Sequence, residues 1–313
     1  MGQEAGVQIG TEPHSLPCPC ASALETGDNL SIAMSQTNPG QQSSDVQDET
    51  KPGFHGVGSP EGARPQLSVS VCMATWNGSR FLHEQLAGIL SQLNSSDELV
   101  VVDDGSSDTT MQILEDAAAD ASHTRVRIYR NVKNLGAIRT FERALGLAEK
   151  DIVFLSDQDD RWLPGKVSRI TRTFAAHPEV TLVLTDAQII DGSGAVTSGS
   201  WVARRQFQAG TIANVVRNTF LGCTMAFRRS SLEYCLPFPV DTPMHDQWIG
   251  TLHSIFGSMI FLPEPLMQYR RHDANVTKLH RASVAQMLRW RFSLIRNLVA
   301  RYWRYSRNAR RRN

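Results

Sequence analysis

Residues 151–160 read Asp-Ile-Val-Phe-Leu-Ser-Asp-Gln-Asp-Asp, an apolar run that passes directly into three closely spaced carboxylates. The apolar part has the length of a strand and is too short for a typical helix. Pro164 follows at a position that suits the first turn of a helix. This stretch therefore predicts a buried strand, an acidic loop and a helix, which is the repeating unit of an α/β fold.

The same alternation of strand and helix extends on both sides of this unit. Runs of apolar and β-branched residues predict strands at 69–74, 99–102, 125–129, 152–156, 181–190, 224–227 and 259–262. Apolar residues at helical spacing predict helices at 80–93, 109–121, 137–148, 164–176 and 244–256. All-apolar strands between helices indicate a mainly parallel sheet covered by helices on both faces, and one α/β domain accounts for them all.

Charge and composition divide the chain of 313 residues into three parts. Residues 1–64 carry eight acidic and two basic residues and have no helical or strand period, so we expect a disordered tail. Residues 65–280, with 23 acidic and 20 basic residues, contain every predicted element and should form the folded domain. Residues 281–313 carry ten arginines and no acidic residue, and we expect a basic amphipathic helix there.

Several classes of protein are excluded or disfavoured by the same composition. With 41% hydrophobic and 20% charged residues the chain is typical of a globular protein, and no apolar run approaches the roughly 18 residues of a membrane span. The odd count of five cysteines and the lack of a secretory signal favour reduced thiols in the cytoplasm. There is no Walker A motif and no Gly-x-Gly-x-x-Gly, which disfavours kinase-like and dehydrogenase functions.

The acidic loop is the strongest candidate for chemistry. Asp157, Asp159 and Asp160 place three carboxylates within four residues, and such a cluster costs stability unless a cation neutralises it. Hard oxygen ligands suit Mg²⁺ or Mn²⁺, and we favour a metal site of that kind. The alternative is a solvated turn that caps the helix predicted from Pro164, because Asp is common at helix N-termini.

Polar residues also follow three other predicted strands, where the carboxyl ends of parallel strands would form one cleft. The most acidic of these segments is 103–108, Asp-Asp-Gly-Ser-Ser-Asp. Helix capping explains Ser106, Ser107 and Asp108, but it leaves Asp103 and Asp104 without a role. A carboxylate at that position can accept hydrogen bonds from a nucleoside base or ribose.

Seven motifs, in this order along residues 66–280, resemble those of glycosyltransferase family 2. They are Thr75-Trp-Asn77, Asp103-Asp-Gly-Ser-Ser-Asp108, Asn134-x-Gly136, Asp157-x-Asp159-Asp160, Gly222-Cys-Thr-Met-Ala-Phe227, His245-Asp246-Gln-Trp248 and Tyr269-Arg-Arg-His272-x-x-Asn275. The resemblance implies the GT-A fold and a nucleotide-sugar donor.

Site roles follow from the same resemblance. It implies that Thr75, Asn77 and Asp104 line the nucleoside pocket, that Asn134 and Gly136 approach the nucleotide or sugar, and that Asp157 contacts the ribose or the donor sugar. It also implies that Asp159 and His272 are ligands of Mg²⁺ or Mn²⁺. The residue-based alternative for His272 is a hydrogen-bonded histidine near a strand end.

Asp246 occupies the position of the general base in this family, which would deprotonate the acceptor hydroxyl in an inverting displacement. The alternative for Asp246 is a helix N-cap. The usual pattern has Glu before this Asp, and here His245 replaces it. With Trp248, this variant resembles bacterial rhamnosyltransferases of cell-surface polysaccharide assembly, which implies L-rhamnose from dTDP-rhamnose and a glycan or lipid-linked glycan acceptor. UDP-glucose, UDP-galactose or UDP-N-acetylglucosamine as donor, or a catalytically silent sugar-nucleotide-binding scaffold, are the alternatives.

The basic end has an amphipathic pattern. On a helix, Leu288, Phe292, Ile295, Val299, Tyr302 and Trp303 share one face, while most arginines lie on the other. This pattern predicts binding to an anionic membrane surface, which would place the protein at the inner face of the plasma membrane. Packing of the helix on the body is the alternative, and nucleic-acid binding is disfavoured because the body offers no matching fold.

Overall fold

The computed structural model describes residues 67–205, 210–272 and 283–312 and has an α/β architecture. The predicted tail at 1–64 lies outside the described residues. The strands are β1 (Val69–Thr75), β2 (Glu98–Asp103), β3 (Arg125–Arg130), β4 (Ile152–Ser156), β5 (Arg161–Trp162), β6 (Leu182–Ile190), β7 (Val196–Ser198), β8 (Met225–Arg228) and β9 (Met259–Arg270). The helices are α1 (Ser79–Leu90), α2 (Thr110–Asp120), α3 (Ala137–Gly146), α4 (Lys166–Ala176), α5 (Trp201–Arg205), α6 (Thr211–Val216), α7 (Leu232–Cys235), α8 (His245–Phe256) and α9 (Val284–Arg312).

One twisted sheet organises the domain, in the order β3-β2-β1-β4-β8-β6-β9-β5, with β7 paired to β6. The first four strands are parallel, as predicted. The second half is mixed, because β8 runs antiparallel between β4 and β6 while β6 and β9 are parallel. The predicted α/β fold is confirmed.

Side chains on the two faces of the sheet enter two apolar layers. Alternation along β4 sends Phe154 into the layer covered by α1, α2 and α4, and sends Val153 and Leu155 into the layer covered by α3, α8 and α9. All three side chains are fully buried. This burial on both faces explains why the central strands are apolar throughout instead of alternating with polar residues.

Strand β9 continues eight residues beyond the end predicted for it, from 262 to Arg270. Its second half pairs with β6 and with the two-residue strand β5, and register shifts between Thr185 and Gln188 accommodate the irregular stretch. Pro263 and Pro265 interrupt the apolar pattern there. Because proline cannot donate to a strand ladder, the sequence pattern alone did not predict this continuation. The extension carries the chain to His272.

Helix α4 begins at Lys166, two residues after the predicted start at Pro164. Gly165 precedes it with φ +86°, a left-handed conformation that glycine adopts without strain. No side chain forms a capping hydrogen bond at this N-terminus. The capping alternative for the acidic loop therefore finds no support in the structure.

Helix α9 packs on the body through a face different from the predicted one. Leu294 and Leu298 are buried against the layer that contains α8, whereas the six residues of the predicted apolar face are exposed. The packing alternative is therefore correct for part of the helix. None of the helices in the described parts of the chain is long and apolar enough to cross a membrane.

Candidate active site

The carboxyl ends of β1, β2 and β4 lie side by side. Thr75 at the end of β1 is in register with Asp103 at the end of β2, and Met73 is in register with Ser156 of β4. The loop after β1 also binds the acidic loop after β4, because Trp76 N donates to Gln158 Oε1 at 2.8 Å and Gln158 Nε2 donates to Trp76 O at 3.0 Å. The parallel sheet thus brings the predicted loops to one edge.

Thr75 and Asn77 are held by the loop that follows β2. Thr75 Oγ1 donates to Asp103 Oδ1 at 3.1 Å, and Asn77 Oδ1 accepts from Ser107 N at 2.8 Å. Asn77 has φ 47°, which Asn tolerates better than most residues. Asp103 is fully buried and also accepts from the backbone of Gly105 and Ser106, so its carboxylate closes this turn.

Asp104 organises the next loop along the sheet. Its Oδ1 accepts from Asn131 Nδ2 at 2.7 Å and from Leu135 N at 2.8 Å, and its Oδ2 accepts from Gly136 N at 2.8 Å. Gly136 has φ +82° and immediately precedes α3, and the nearby Asn134 is exposed. The buried Asp104 carboxylate therefore fixes the segment that presents Asn134 and Gly136 at the cleft.

A buried lysine faces the acidic loop. Lys166 is fully buried, its Nζ donates to Cys223 O at 2.7 Å, and the indole of Trp162 lies 4.2 Å from the ammonium. Burial lowers the pKa of Lys166 to about 8, opposed by the negative charges around it. Candidate ligand atoms of Asp157, Asp160 and Cys223 lie within 4.8 Å of one another beside this lysine.

Two carboxyl groups of the loop, Asp157 and Asp160, have raised pKa values. Burial, followed by the charges of Asp159 and Asp246, raises the pKa of Asp157. Burial also raises the pKa of Asp160 well above its usual range, and the neighbouring charges of Asp159 and Asp157 add to the effect. Mutual repulsion of this kind is what the sequence pattern predicted for the three carboxylates.

Asp159 lies against the other predicted metal ligand. Its Oδ2 is 2.8 Å from Nε2 of His272, and both side chains are mostly shielded from solvent. Arg270 holds this arrangement, because its backbone N donates to Asp160 Oδ1 at 3.0 Å and its Nε donates to Asp159 O at 2.8 Å. The end of β9 is thereby fixed to the acidic loop.

Asp246 is the second residue of α8, and Met244 occupies the N-cap position without a side-chain capping bond. The Asp246 carboxylate accepts from Gln247 N at 2.6 Å and from Asn218 Nδ2 at 3.2 Å. Burial raises the pKa of Asp246 to about 6 despite these hydrogen bonds. A carboxylate with such a pKa can take up a proton near neutral pH.

His245 is fixed beside this carboxylate. Its ring stacks on Phe141, with ring centroids 4.4 Å apart, and burial lowers the pKa of His245 to about 4. A Cβ atom at Gly222 would lie 3.0 Å from His245 Nε2 and 3.5 Å from Asp246 Cβ. Glycine at position 222 therefore permits the close approach of α8 to the turn before β8.

The structure brings Asp157, Asp159, His272 and Asp246 together, and it places Thr75, Asn77, Asp104, Asn134 and Gly136 in the adjoining loops. Sequence reasoning missed Lys166, Asn218 and Arg270. One signal was available for Lys166, which stands at a core-facing position of a helix where an apolar residue is expected. Asn218 and Arg270 have no such signal, because their roles depend on long-range contacts.

Known proteins are similar to this chain in sequence and in fold. The model of the family "Glycosyl transferase family 2" matches residues 70–236. The chain is 27% identical over 218 residues to an uncharacterized glycosyltransferase of Nostoc sp., which covers 67% of this chain and 66% of that protein. It is also 27% identical over 213 residues to an uncharacterized protein of Mycobacterium tuberculosis, covering 65% and 59%. The chain thus spans 59–66% of the length of these relatives.

Two solved structures are similar in fold. Residues 1–349 of S. aureus TarS, in complex with UDP-GlcNAc, align with a TM-score of 0.59 at 18% identity over 75% of this chain and 66% of that one. The mannosyltransferase PcManGT from Pyrobaculum calidifontis, in complex with GDP-Man and Mn²⁺, aligns with a TM-score of 0.51 at 21% identity, covering 68% and 59%. With a family model that matches more than half of its residues, and with the GT-A architecture of these structures, the chain belongs to glycosyl transferase family 2.

Proposed function

We propose that this protein is an inverting glycosyltransferase that moves a sugar from a nucleotide-sugar donor to a hydroxyl of a glycan acceptor. One observation carries the proposal. The turn before β8 joins Asp246 to the acidic loop: a Cβ atom at Gly222 would lie 3.5 Å from Asp246 Cβ, and the adjacent Cys223 has its sulfur within 4.8 Å of carboxylate oxygens of Asp157 and Asp160. This is the arrangement that a direct displacement between donor and acceptor requires.

Asp246 has the chemistry of a general base for this reaction. Its carboxylate takes the proton of the acceptor hydroxyl, and the hydroxyl oxygen attacks the anomeric carbon of the donor sugar. The bond from that carbon to the nucleoside diphosphate breaks on the opposite face, which inverts the anomeric centre. Asn218 Nδ2 and the backbone N of Gln247 both donate to Oδ1 of Asp246, and these hydrogen bonds orient the carboxylate for proton transfer.

The donor nucleotide is expected along the ends of β1, β2, β3 and β4. Asn77 in the loop after β1 and Asn134 in the loop after β3 are exposed there, and Thr75 is the buried last residue of β1. We assign the nucleoside to Thr75, Asn77 and Asp104, with Asn134 and Gly136 towards the nucleotide or sugar. Asp157 is assigned to the ribose or the donor sugar. Asp104 already accepts three hydrogen bonds from the 131–136 segment. We therefore assign it two roles, to fix the shape of this pocket and to contact the base.

Asp159 and His272 fit a divalent cation, Mg²⁺ or Mn²⁺. Two ligand atoms that each lie about 2.1 Å from an octahedral ion at a right angle are about 3 Å apart, close to the observed 2.8 Å. The group of Asp157, Asp160 and Cys223 fits less well, because the Lys166 ammonium already balances its charge and a thiol is a poor ligand for Mg²⁺. When bound, the cation would neutralise charge on the diphosphate leaving group.

We infer L-rhamnose from dTDP-rhamnose as the first donor to test, on the strength of His245-Asp246-Gln-Trp248. UDP-N-acetylglucosamine, UDP-glucose and UDP-galactose are alternatives. The two solved structures contain UDP-GlcNAc and GDP-Man, which supports testing the first of these and adds GDP-mannose. We propose a glycan or lipid-linked glycan in cell-surface polysaccharide synthesis as the acceptor, and the cytoplasm as the site of the reaction.

A donor screen tests this proposal. The purified full-length chain is incubated with Mg²⁺ or Mn²⁺ and, separately, with dTDP-rhamnose, UDP-N-acetylglucosamine, UDP-glucose, UDP-galactose and GDP-mannose, and nucleotide release is measured with and without chelator. We expect dTDP release that the chelator abolishes. Release of UDP or GDP instead would reject rhamnose and identify the donor class. A membrane glycolipid extract is supplied as acceptor. If the protein binds a donor but releases no nucleotide from any of them, the catalytically silent scaffold is favoured.

A further inference from the structure

Helix α9 has an inner face that attaches it firmly to the body. Leu294 and Leu298 are 2% and 6% exposed and lie in the apolar layer that also holds α8. Arg301 donates to the backbone oxygens of Tyr234 at 2.6 Å and Leu236 at 2.9 Å, and its guanidinium lies 5.2 Å from the ring of Trp248. The helix is therefore a docked part of the body and not a free tail.

Polar contacts on both sides fix the rotation of the helix about its axis. On one side, Ser293 and Asn297 donate to the carboxylate of Asp241 at 2.6 and 2.8 Å. On the other side, Arg291 donates through Nε to the backbone oxygen of Val216 at 3.0 Å. These contacts determine which residues of α9 point away from the body.

The outer face of α9 is apolar and exposed. Phe292 is 69% exposed and Trp303 is 63% exposed, and Leu288, Ile295, Val299 and Tyr302 between and beside them are each about half exposed or more. From 288 to 303 this face is about 22 Å long. Val216 of α6 and Val240 next to Asp241, beside the two polar contacts, are also exposed. An apolar face of this length is unusual on a surface without a binding role.

Charge specifies the partner of this face. Arg289 and Arg307 are exposed along one flank of the apolar residues, and the whole helix contains no acidic residue. Tyr302 and Trp303 combine a large apolar ring with a polar atom, which suits the boundary between lipid headgroups and acyl chains. A basic flank beside an apolar and aromatic strip is complementary to an anionic lipid surface.

We propose that the outer face of α9 binds an anionic lipid surface, with the helix axis in the plane of the headgroups and the body held on the water side. The apolar strip enters the interface, and Arg289 and Arg307 contact lipid phosphates. This inference does not depend on the reaction that the cleft performs. The sequence predicted membrane binding by an isolated tail, whereas the structure assigns it to one defined face of a docked helix.

Flotation of the full-length chain with lipid vesicles tests this inference. We expect binding to phosphatidylcholine vesicles that contain phosphatidylglycerol, a loss of roughly tenfold or more in high salt, and little binding to pure phosphatidylcholine. The double variants Phe292→Ser with Trp303→Ser and Arg289→Glu with Arg307→Glu should each reduce binding at least about tenfold. Val196→Ser on β7 and Arg172→Glu on α4 are exposed matched controls and should bind normally.

The altered residues are exposed, so all four variants should keep the melting temperature of the wild type. Equal binding to neutral and anionic vesicles would overturn the inference. So would failure of the folded wild-type chain to bind either vesicle. Self-association that disappears in Phe292→Ser with Trp303→Ser, without vesicle binding by the wild type, would show that the face instead binds a second copy of this chain.

Discussion

Oδ2 of Asp159 lies 2.8 Å from Nε2 of His272, and this contact joins the loop after β4 to the end of β9 across 113 residues of sequence. Arg270 also fixes the end of β9 to this loop, because its backbone and its guanidinium both donate hydrogen bonds to it. The 2.8 Å separation is that of a hydrogen bond between the two side chains. We propose that the same oxygen and nitrogen bind one small cation, around which neighbouring ligands lie about 3 Å apart.

Asp159→Asn and His272→Ala should each weaken Mn²⁺ binding by at least about tenfold, the effect that loss of even an outer-shell partner has at a metal site. Asp159→Asn should have the larger effect, because it removes a charge together with a ligand. Electron paramagnetic resonance of Mn²⁺ in the presence of nucleoside diphosphate measures the affinity. Asp120→Asn, an exposed carboxylate at the end of α2, is the control. Unchanged Mn²⁺ affinity in Asp159→Asn would remove the metal from this position.

Lys166→Met should destabilise the fold at neutral pH although methionine fills a similar volume. The ammonium is fully buried and its charge favours the ionised form of Asp157, so its removal leaves the acidic loop without its compensating charge. Breaking a buried set of charges in this way typically costs about 3–5 kcal/mol. Urea unfolding measures the loss, with the exposed Lys133→Met as control. A variant as stable as the wild type would mean that Lys166 does not balance these carboxylates.

The sequence predicted those site residues that lie at or directly after the end of a strand. The order of apolar strands and polar loops was sufficient to place Asp157 and Thr75 at one edge of the sheet, because parallel strands end together. It could not predict the charge balance inside the loop, since Lys166 and Cys223 reach Asp157 and Asp160 only after folding.

Helix α9 shows a second reason why the sequence alone did not predict the structure fully. Its helical periodicity was read correctly, but two stripes of the helix are apolar, and periodicity does not tell which of them has a partner. The body provides that information, because the surface around Trp248 and Tyr234 accepts Leu294, Leu298 and Arg301. The two short strands β5 and β7 were missed because two or three residues carry no measurable period.

Gly222→Ala should disturb the candidate base through its neighbour His245. The new Cβ would lie 3.0 Å from His245 Nε2, closer than side chains normally pack, and the stacking of His245 on Phe141 limits its escape. Overpacking of this kind costs about 1–3 kcal/mol. We expect lower stability and lower turnover, measured by thermal unfolding and donor turnover.

A second substitution isolates this clash. His245→Ala removes the ring that the new Cβ would meet, so the double variant Gly222→Ala with His245→Ala should be more stable than the sum of the single effects predicts, by about 0.5–3 kcal/mol. Gly146→Ala at the end of α3 is the control, because no atom outside the adjoining backbone of its own helix lies within 4 Å of the added Cβ. Strict additivity in the double variant would contradict the proposed contact.

Asp246→Asn should separate catalysis from stability. The amide keeps the shape of the side chain and can still accept from Gln247 N and Asn218 Nδ2, but it cannot take up a proton. Loss of a general base typically lowers turnover by about 10²–10⁴-fold. In the wild type, turnover should rise with pH through about 6, because only the ionised form of Asp246 is a base. In Asp246→Asn that rise should disappear, with nucleotide affinity unchanged.

The same variant should lose turnover but gain stability at neutral pH. The pKa of Asp246 is raised by burial from its ordinary value to about 6, so the folded state binds the proton more tightly than the unfolded chain does, and the ionised form costs stability above that pH. The wild type should therefore lose stability as the pH rises from about 4 to about 6, whereas Asp246→Asn lacks this loss. At pH 7 we expect the variant to be more stable by on the order of 1–3 kcal/mol, and at pH 4 the difference should largely vanish. Urea unfolding at both pH values measures this, with Asp120→Asn as control. An Asp246 that served only to cap α8 would give an asparagine variant with normal turnover and no gain in stability at pH 7, since Asn and Asp cap about equally well.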